Sequence, residues 1–317
     1  MLTFSEDFFE AEERCGFLID TTMKTVWAAE LEVLCEIALV CERHNIPWYM
    51  AYGSLLGAVR HEGFIPWDDD MDICLIREDY QKLLEILPEE LPEGYVVRSP
   101  LLENGYPEFH SCVANSDSIS IEPEHLQKFH GCPFVVGVDI FPIDTLPKDG
   151  VVLENKKRAF QLIRKAVHVI KRERDVRVLE GISEILKRDY GIQLYSGKPF
   201  LPETDHEANE MAADFWRLAN EVVVSSANEE MSNRACIFVD YVQGKSLYNT
   251  DWFRKIEELP FEDFAVPVPG QYDQVLRSTY GDYHIYKRQT AGHDYPFYTK
   301  QLEDLRRRVK EYEEEMY

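Results

Sequence analysis

Apolar residues recur every three to four positions in the segment that precedes residue 44, which predicts an amphipathic helix. The positions are Trp27, Leu31, Leu34, Ala38 and Cys41. Pro47 is expected to stop this helix, because proline lacks the backbone N–H that a helix interior requires. A strand is predicted next, from Trp48 to Tyr52.

A second helix is predicted after residue 76 and a buried strand after residue 134. The helix is indicated by the spacing of Tyr80, Leu83, Leu84 and Leu87, and Pro88 is expected to close it. The strand, Val135 to Phe141, is rich in β-branched residues and lies between two prolines, Pro133 and Pro142.

The second half of the chain is predicted to be helical first and mixed afterwards. Residues 151–190 carry eleven Lys or Arg against six Asp or Glu and read as long helices. Residues 203–230 read as an acidic helix that packs through Phe215, Trp216 and Leu218. The remaining predictions are a strand over Cys236–Tyr241, a strand over Phe261–Val268, and a helix after Pro269-Gly270 that carries Tyr272 and Leu276 and ends at Tyr280-Gly281.

Length, composition and charge narrow the class of protein. The chain has 317 residues, 45% of them hydrophobic, which is enough to bury a full core. The formal net charge of -24 argues against a nucleic-acid-binding surface, since such surfaces depend on Lys and Arg. The acidic segment Met1–Glu13 does not resemble a signal peptide, and no apolar window is long enough for a transmembrane segment. We therefore expect a cytoplasmic, globular protein.

Two further features leave alternatives open. The seven cysteines lack CxxC spacing, so we expect reduced thiols; zinc ligation by His110, Cys112, His130 and Cys132 is the less favoured alternative to ordinary structural positions. The basic helices of residues 151–190 are either a solvated face or a contact for an anionic donor, an acceptor or the membrane surface.

The run from Ala51 to Leu75 carries the candidate chemistry. Alternate side chains of a strand share a face, so Asp70 and Asp72 are expected on one side, with Met71 on the other. Two carboxylates can hold one Mg²⁺ or Mn²⁺, whose remaining ligands are substrate phosphates and water. Asp68 and Asp69 are expected to orient the turn or the ligands.

Three more residues extend this candidate site. Gly53 would let the backbone approach a phosphate closely, and Ser54 would add a hydroxyl and an amide in a turn. Asp139, on the strand that begins at Val135, would be a third carboxylate, either as a metal ligand or as the base that takes a proton from an attacking hydroxyl.

At these residues the chain resembles the LicD family, relatives of the fukutins within the nucleotidyltransferase-like superfamily. The resemblance rests on Tyr52-Gly-Ser-Leu-Leu-Gly-Ala-Val-Arg60, Gly63-Phe-Ile-Pro-Trp-Asp-Asp-Asp-Met-Asp72, Val138-Asp-Ile-Phe-Pro-Ile-Asp144, Tyr280-Gly-Asp-Tyr283 and Gly292-His-Asp-Tyr-Pro-Phe-Tyr298. It implies an α+β fold with a nucleotidyltransferase-like core, in which a mixed β-sheet is flanked by helices. The expected division is a catalytic core over residues 1–150, a helical insertion over 151–230, and a C-terminal part over 231–317 that completes the core.

The resemblance also implies an activity. Such enzymes move a phosphorylated alcohol from a CDP-linked donor to a sugar hydroxyl on a glycan and release CMP. CDP-choline is the first candidate donor; CDP-ribitol or CDP-glycerol, or a nucleoside triphosphate in a true nucleotidyltransferase, are the alternatives. The segment Ser111–Asp117 lacks the Lys or Arg that the family leads us to expect there, which leaves the donor and acceptor open.

The resemblance suggests roles for the site residues. Asp70 and Asp72 would ligate the metal, and Asp139 would be a ligand or base. Gly53 and Ser54 would contact the donor phosphates, together with Arg60, whose alternative is a structural ion pair, and His293. The aromatic residues Tyr295, Phe297 and Tyr298 would either face a choline cation or pack in the core.

Overall fold

The chain folds as a mixed β-sheet flanked by helices, which confirms the predicted α+β class. The computed structural model describes residues 1–102, 105–224, 229–287 and 295–315. The helices are α1 Thr21–His44, α2 Tyr52–His61, α3 Arg77–Glu90, α4 Pro123–Lys128, α5 Gly150–His168, α6 Val176–Ile185, α7 Asp205–Val223, α8 Phe238–Tyr241, α9 Tyr272–Tyr280 and α10 Thr299–Glu315. The strands are β1 Glu12–Arg14, β2 Phe17–Ile19, β3 Tyr49–Met50, β4 Met71–Ile76, β5 Val96–Arg98, β6 Ser111–Ala114, β7 Gly137–Pro147, β8 Met231–Cys236, β9 Leu247–Asn249, β10 Ile256–Phe261 and β11 Phe264–Pro269.

The main sheet contains seven of the strands formed by the described residues. Its path is β3-β4-β7-β6-β5, and β8 pairs with β7 and with β9. β3 runs antiparallel to β4, and β8 runs antiparallel to the second half of β7. The site strand β4 therefore lies between β3, which leads into α2, and β7, which carries Asp139.

The chain divides into two compact units. One comprises Met1–Val97, Cys112–Phe141 and Trp252–Tyr317, and the other Arg98–Ser111 and Pro142–Asp251. The core of the first includes the buried side chains of Trp27, Ile73 and Leu83. The core of the second packs α5 against α7. The division at residues 150 and 230 that the sequence suggests stays a prediction.

Several predicted elements are confirmed with adjusted ends. α1 ends because Asn45 adopts a left-handed conformation and its N–H bonds to the carbonyls of Cys41 and Glu42. The helices predicted over residues 151–190 are α5 and α6, each continued by a π-helical turn. In α7, Phe215 and Trp216 are buried as predicted. α9 ends at Tyr280 and is capped by Gly281, whose φ is 71°.

Two predicted proline boundaries are wrong. Pro88 lies inside the last turn of α3, where its missing N–H removes only one hydrogen bond and the buried Leu83, Leu84 and Leu87 hold the helix. β7 continues through Pro142 to Pro147, because the fixed φ of proline fits an extended strand and pairing with β8 begins at Asp144.

Two strands predicted in the last third of the chain adopt other structures. Cys236 ends β8, and Phe238–Tyr241 is a helical turn whose Asp240 and Tyr241 N–H groups bond to the carbonyl of Ile237. The strand predicted over Phe261–Val268 is part of a hairpin of β10 and β11. Its turn holds Glu262 at a φ of 51°, and because a glutamate there is no turn signal, the pattern reads as one strand.

Among the residues that the structure describes, no helix has the length and apolar content to span a membrane. All seven cysteines are free of disulfides.

Candidate active site

The Gly53-Ser54 segment lies in the first turn of α2, which corrects the predicted loop turn and the predicted end of the strand at Tyr52. Ala51 is extended, and Tyr52 then takes a φ of 42° that redirects the chain into the helix. The first i to i+4 bond of this region joins the N–H of Leu55 to the carbonyl of Ala51. The amides of Gly53 and Ser54 thus have no acceptor within the helix, a situation that favours anions at a helix N-terminus.

Gly53 lies against the carboxylate of Asp68. A Cβ at this position would lie 2.3 Å from Oδ2 of Asp68, so any larger residue would require this carboxylate to move away from the start of α2. The predicted contact of Gly53 with a phosphate stays a prediction. The structure adds a packing reason for glycine that the sequence pattern did not reveal.

Ser54 connects α2 to β4 through a hydrogen bond. Its Oγ accepts the N–H of Asp72 at 2.8 Å, and the N–H of Ala51 donates to the carbonyl of Asp72 at 2.9 Å. The Ser54 side chain is buried, and its hydroxyl oxygen faces β4. The first turn of α2 and the acidic strand are therefore held together at two points.

The acidic strand is buried on both faces. Met71 to Leu75 are all buried, so neither face of this part of β4 is open to solvent. Asp72 is 8% exposed and Asp69 is fully buried, while Asp70 is partly exposed. The carboxylates consequently lie in a low-dielectric environment, where like charges repel strongly.

This crowding changes the protonation of Asp68. Burial, followed by the charges of Asp70 and Asp69, raises the pKa of Asp68 well above its usual value, and a hydrogen bond to the side chain of Asp70 adds to the rise. The backbone of Asp68 is fixed from two sides: its N–H bonds to the carbonyl of Ile65, and its carbonyl accepts the indole N–H of Trp27 at 3.2 Å.

Glu30, on α1, belongs to this acidic cluster and was missed by sequence reasoning. It is 1% exposed, and its Oε2 has no hydrogen-bond partner among the described residues. Burial, then the charges of Asp70, Asp69, Asp68 and Asp72, raise the pKa of Glu30 well above its usual value. A signal was available, because Glu30 follows Trp27 by three positions and precedes Leu34 by four, which places a carboxylate on the apolar face of α1.

Asp139 lies on β7, the neighbour of β4 in the sheet. The predicted alternation is confirmed here: Val138 and Ile140 are buried, and Asp139 is partly exposed on the other face. Phe141 shares that face, and its ring packs on Tyr52 with centroids 4.9 Å apart. The face of β7 that carries Asp139 is therefore the one turned towards the start of α2.

Arg60, near the end of α2, is held by neutral groups. Its Nη1 donates to the carbonyl of Tyr283 at 2.9 Å, its Nε donates to Nε2 of His61 at 3.1 Å, and its guanidinium lies 4.4 Å from the ring centroid of Tyr286. Burial and the charges of Arg60 and Arg14 lower the pKa of His61 to about 4, so the ring stays neutral and can accept. Within the described parts of the chain, Arg60 makes no ion pair, in contrast to the structural alternative.

The C-terminal block contacts the acidic cluster through its backbone. The N–H of Phe297 donates to Oδ2 of Asp69 at 2.5 Å. Tyr298 is buried and stacks on Phe134 at 4.7 Å, as core packing requires, while Tyr295 contacts the edge of Phe17 at 5.7 Å. His293 lies outside the described residues.

The His and Cys side chains of the zinc alternative make contacts within the protein. His130 bonds through Nε2 to Glu32 at 2.7 Å, Cys132 is buried, and His110 bonds to the hydroxyl of Tyr106 at 3.1 Å. Across the part of the chain that the structure describes, no three His, Cys, Asp or Glu side chains are already arranged as ligands of one ion. The donor types at residues 68–72 are nonetheless the hard oxygens that Mg²⁺ and Mn²⁺ prefer.

Comparison with known proteins gives a family match in this region. Residues 45–156 match the family model described as LicD/FKTN/FKRP, nucleotidyltransferase domain. The chain is 38% identical over 78 residues to the lipopolysaccharide cholinephosphotransferase LicD of Haemophilus influenzae, a match that covers 23% of this chain and 29% of the relative.

Two uncharacterized proteins are also similar. RP689 of Rickettsia prowazekii is 49% identical over 55 residues, covering 17% of this chain and 21% of the relative. RT0683 of Rickettsia typhi is 37% identical over 93 residues, covering 27% and 30%. The chain thus spans less than a third of the length of these curated relatives. The matched segment, residues 45–156, contains α2, the acidic residues 68–72 and Asp139, and it is similar to the LicD/FKTN/FKRP nucleotidyltransferase domain.

Proposed function

We propose that the protein is a metal-dependent phosphotransferase. It would move a phosphorylated alcohol, with phosphocholine as the first candidate, from a CDP-linked donor to a hydroxyl of a cell-surface glycan precursor or its lipid-linked form, and release CMP. The LicD match of residues 45–156 and the name of the Haemophilus influenzae relative support this reaction class.

One observation carries the proposal: carboxylates are crowded into a buried space beside an uncapped helix N-terminus. Burial and the neighbouring aspartates raise the pKa values of Glu30 and Asp68, and Oε2 of Glu30 has no partner in the described structure. A divalent cation would relieve that repulsion. The residues therefore fit Mg²⁺ or Mn²⁺, which Asp70 and Asp72 would hold, with Asp139 as a third ligand or as the base.

The bound cation would withdraw charge from the phosphate oxygens and stabilise the leaving CMP. The protein's own groups would act around it. The amides of Gly53 and Ser54 would face the donor phosphates at the positive end of α2, and Arg60, oriented by His61 and Tyr283, would add a cationic donor.

The transfer step would balance as follows. The acceptor hydroxyl oxygen forms a bond to the outer phosphorus of the donor, and the bond from that phosphorus to the bridging oxygen breaks. The bridging oxygen leaves on CMP with the electron pair, and the hydroxyl proton passes to a carboxylate, for which Asp139 is the candidate. The two hydrogen bonds between α2 and β4 would keep the phosphate-binding and acidic groups in fixed relation during this step.

We expect Asp70→Asn and Asp72→Asn each to lower turnover by at least about a hundredfold, because each removes a negative oxygen ligand. CMP release from CDP-choline with Mg²⁺ or Mn²⁺ is the measurement, and circular dichroism checks the fold. Asp304→Asn, in an exposed pair with Arg307, is the matched control and should keep full activity. Turnover at the wild-type level in either site variant would contradict the metal assignment.

The donor is identified by a panel of CDP-choline, CDP-ribitol, CDP-glycerol and ATP. Release of CMP from one of the CDP compounds agrees with attack at the outer phosphorus and names the alcohol. Release of pyrophosphate from ATP would instead indicate a nucleotidyltransferase that attacks the inner phosphorus. The products are separated by anion-exchange chromatography.

A further inference from the structure

α1 carries two buried carboxylates, two residues apart, in opposite situations. Glu32 is 2% exposed, and its Oε1 accepts the N–H of Leu2 at 2.5 Å and contacts Nε2 of His130 at 2.7 Å. Glu30 is equally buried, yet its Oε2 has no hydrogen-bond partner among the described residues. A buried carboxylate oxygen without a partner is costly, and native structures retain one mainly where a function or an unseen ligand explains it.

The position of Glu30 indicates what that ligand is. Trp27 lies three residues earlier on the same face of α1, and its indole N–H donates to the carbonyl of Asp68 at 3.2 Å. That face of the helix is therefore packed against the segment that carries Asp68 to Asp72. After burial itself, the charges that act on Glu30 are those of Asp70, Asp69, Asp68 and Asp72, all of them carboxylates of this segment.

We infer that Glu30 supplies an additional carboxylate oxygen, from α1, to the divalent cation proposed for the aspartates of residues 68–72. The inference rests on the proposed function. It assigns to α1, which lies outside the matched segment of residues 45–156, a part of the cation site. A hard divalent ion of the Mg²⁺ or Mn²⁺ class suits a site built from carboxylate oxygens alone.

The test is the binding of Mn²⁺ alone to the full chain, measured by the loss of the free-Mn²⁺ signal in electron paramagnetic resonance. The test variant is Glu30→Gln, which keeps the shape of the side chain and removes its charge. We expect its Kd for Mn²⁺ to rise about tenfold or more. Thermal unfolding without metal should give a Tm equal to or above that of the wild type, because a buried unpaired carboxylate has been removed.

Glu32→Gln is the matched control, from the same helix and with the same burial. It weakens the contact with His130, so its Tm without metal should fall while its Kd for Mn²⁺ stays within twofold of the wild type. Glu30→Asp keeps the charge but shortens the side chain, and it should also weaken Mn²⁺ binding if Glu30→Gln does not fold.

Each result decides the inference. Mn²⁺ binding by Glu30→Gln within twofold of the wild type, together with its loss in Asp72→Asn, would overturn the role of Glu30 and leave the proposed function intact. No Mn²⁺ binding by the wild type would overturn both. Weakened binding in Glu30→Gln and unchanged binding in Glu32→Gln would establish the role.

Discussion

Gly57 shows, at the scale of single residues, how tightly the site is packed. A Cβ on Gly57 would lie 2.4 Å from the carbonyl oxygen of Gly63, which is backbone and cannot rotate away. We expect Gly57→Ala to lower the free energy of unfolding by about 1–3 kcal/mol, as overpacking does. Urea denaturation measures the change.

Gly181 is the matched control for that prediction. It also lies inside a helix, α6, but a Cβ there meets nothing within 4 Å. Alanine should therefore stabilise the protein by about 0.5–1 kcal/mol through helix propensity. Equal effects of the two substitutions would show that the space at Gly57 is not restrictive.

Single residues also show what the sequence could and could not predict about the site. Asp70 and Asp72 could be proposed as ligands because their spacing needs only a two-residue repeat; β4 begins at Met71, so Asp70 directly precedes the strand, and their role stays a prediction. Glu30 was not proposed from the sequence. Its proximity to these aspartates depends on the packing of α1 against a segment about forty residues away in sequence. The sequence analysis proposed Ser54 as a contact for the donor phosphates. The structure shows a different role, because the hydroxyl oxygen of Ser54 accepts the N–H of Asp72.

Elements were predicted best where a long regular pattern exists. α1, α5 and α7 follow their apolar spacing. The errors lie at short junctions, such as Tyr52, where a non-glycine residue takes a positive φ that its own side chain does not indicate. Such conformations are imposed by tertiary packing, so local patterns cannot reveal them.

The C-terminal segment before α10 gives a prediction at this scale. Asp69→Ala removes the acceptor of the Phe297 N–H, so amide hydrogen exchange at Phe297 should become about tenfold faster or more. Mass spectrometry with residue-resolved fragmentation measures it. Asp20→Ala is the control, since Asp20 accepts the N–H of Met23 and should affect exchange there and not at Phe297. Unchanged exchange at Phe297 in Asp69→Ala would contradict the docking role of Asp69.

At the scale of the whole molecule, the class of fold was predictable from the sequence, while the division at residues 150 and 230 stays a prediction. The pattern of apolar and polar positions indicated that the chain contains both helices and strands. The grouping of Arg98–Ser111 with Pro142–Asp251 joins segments that are distant in sequence, and no local signal marks it.

The net charge of -24 gives a prediction at the same scale. Repulsion among surface carboxylates opposes the compact state and is screened by salt. Raising KCl from about 20 to about 200 mM, with chelator present, should raise the first unfolding transition; relief of about 1 kcal/mol corresponds to about 2 °C. Differential scanning calorimetry measures it. A fall in Tm would mean that surface ion pairs outweigh the repulsion.

The contact between Gly53 and the Asp68 carboxylate has a consequence for how this protein can vary. A side chain at position 53 needs the volume that the Asp68 carboxylate now occupies, so a substitution of Gly53 also displaces that carboxylate. A directed-evolution library that randomises position 53 should therefore randomise position 68 as well.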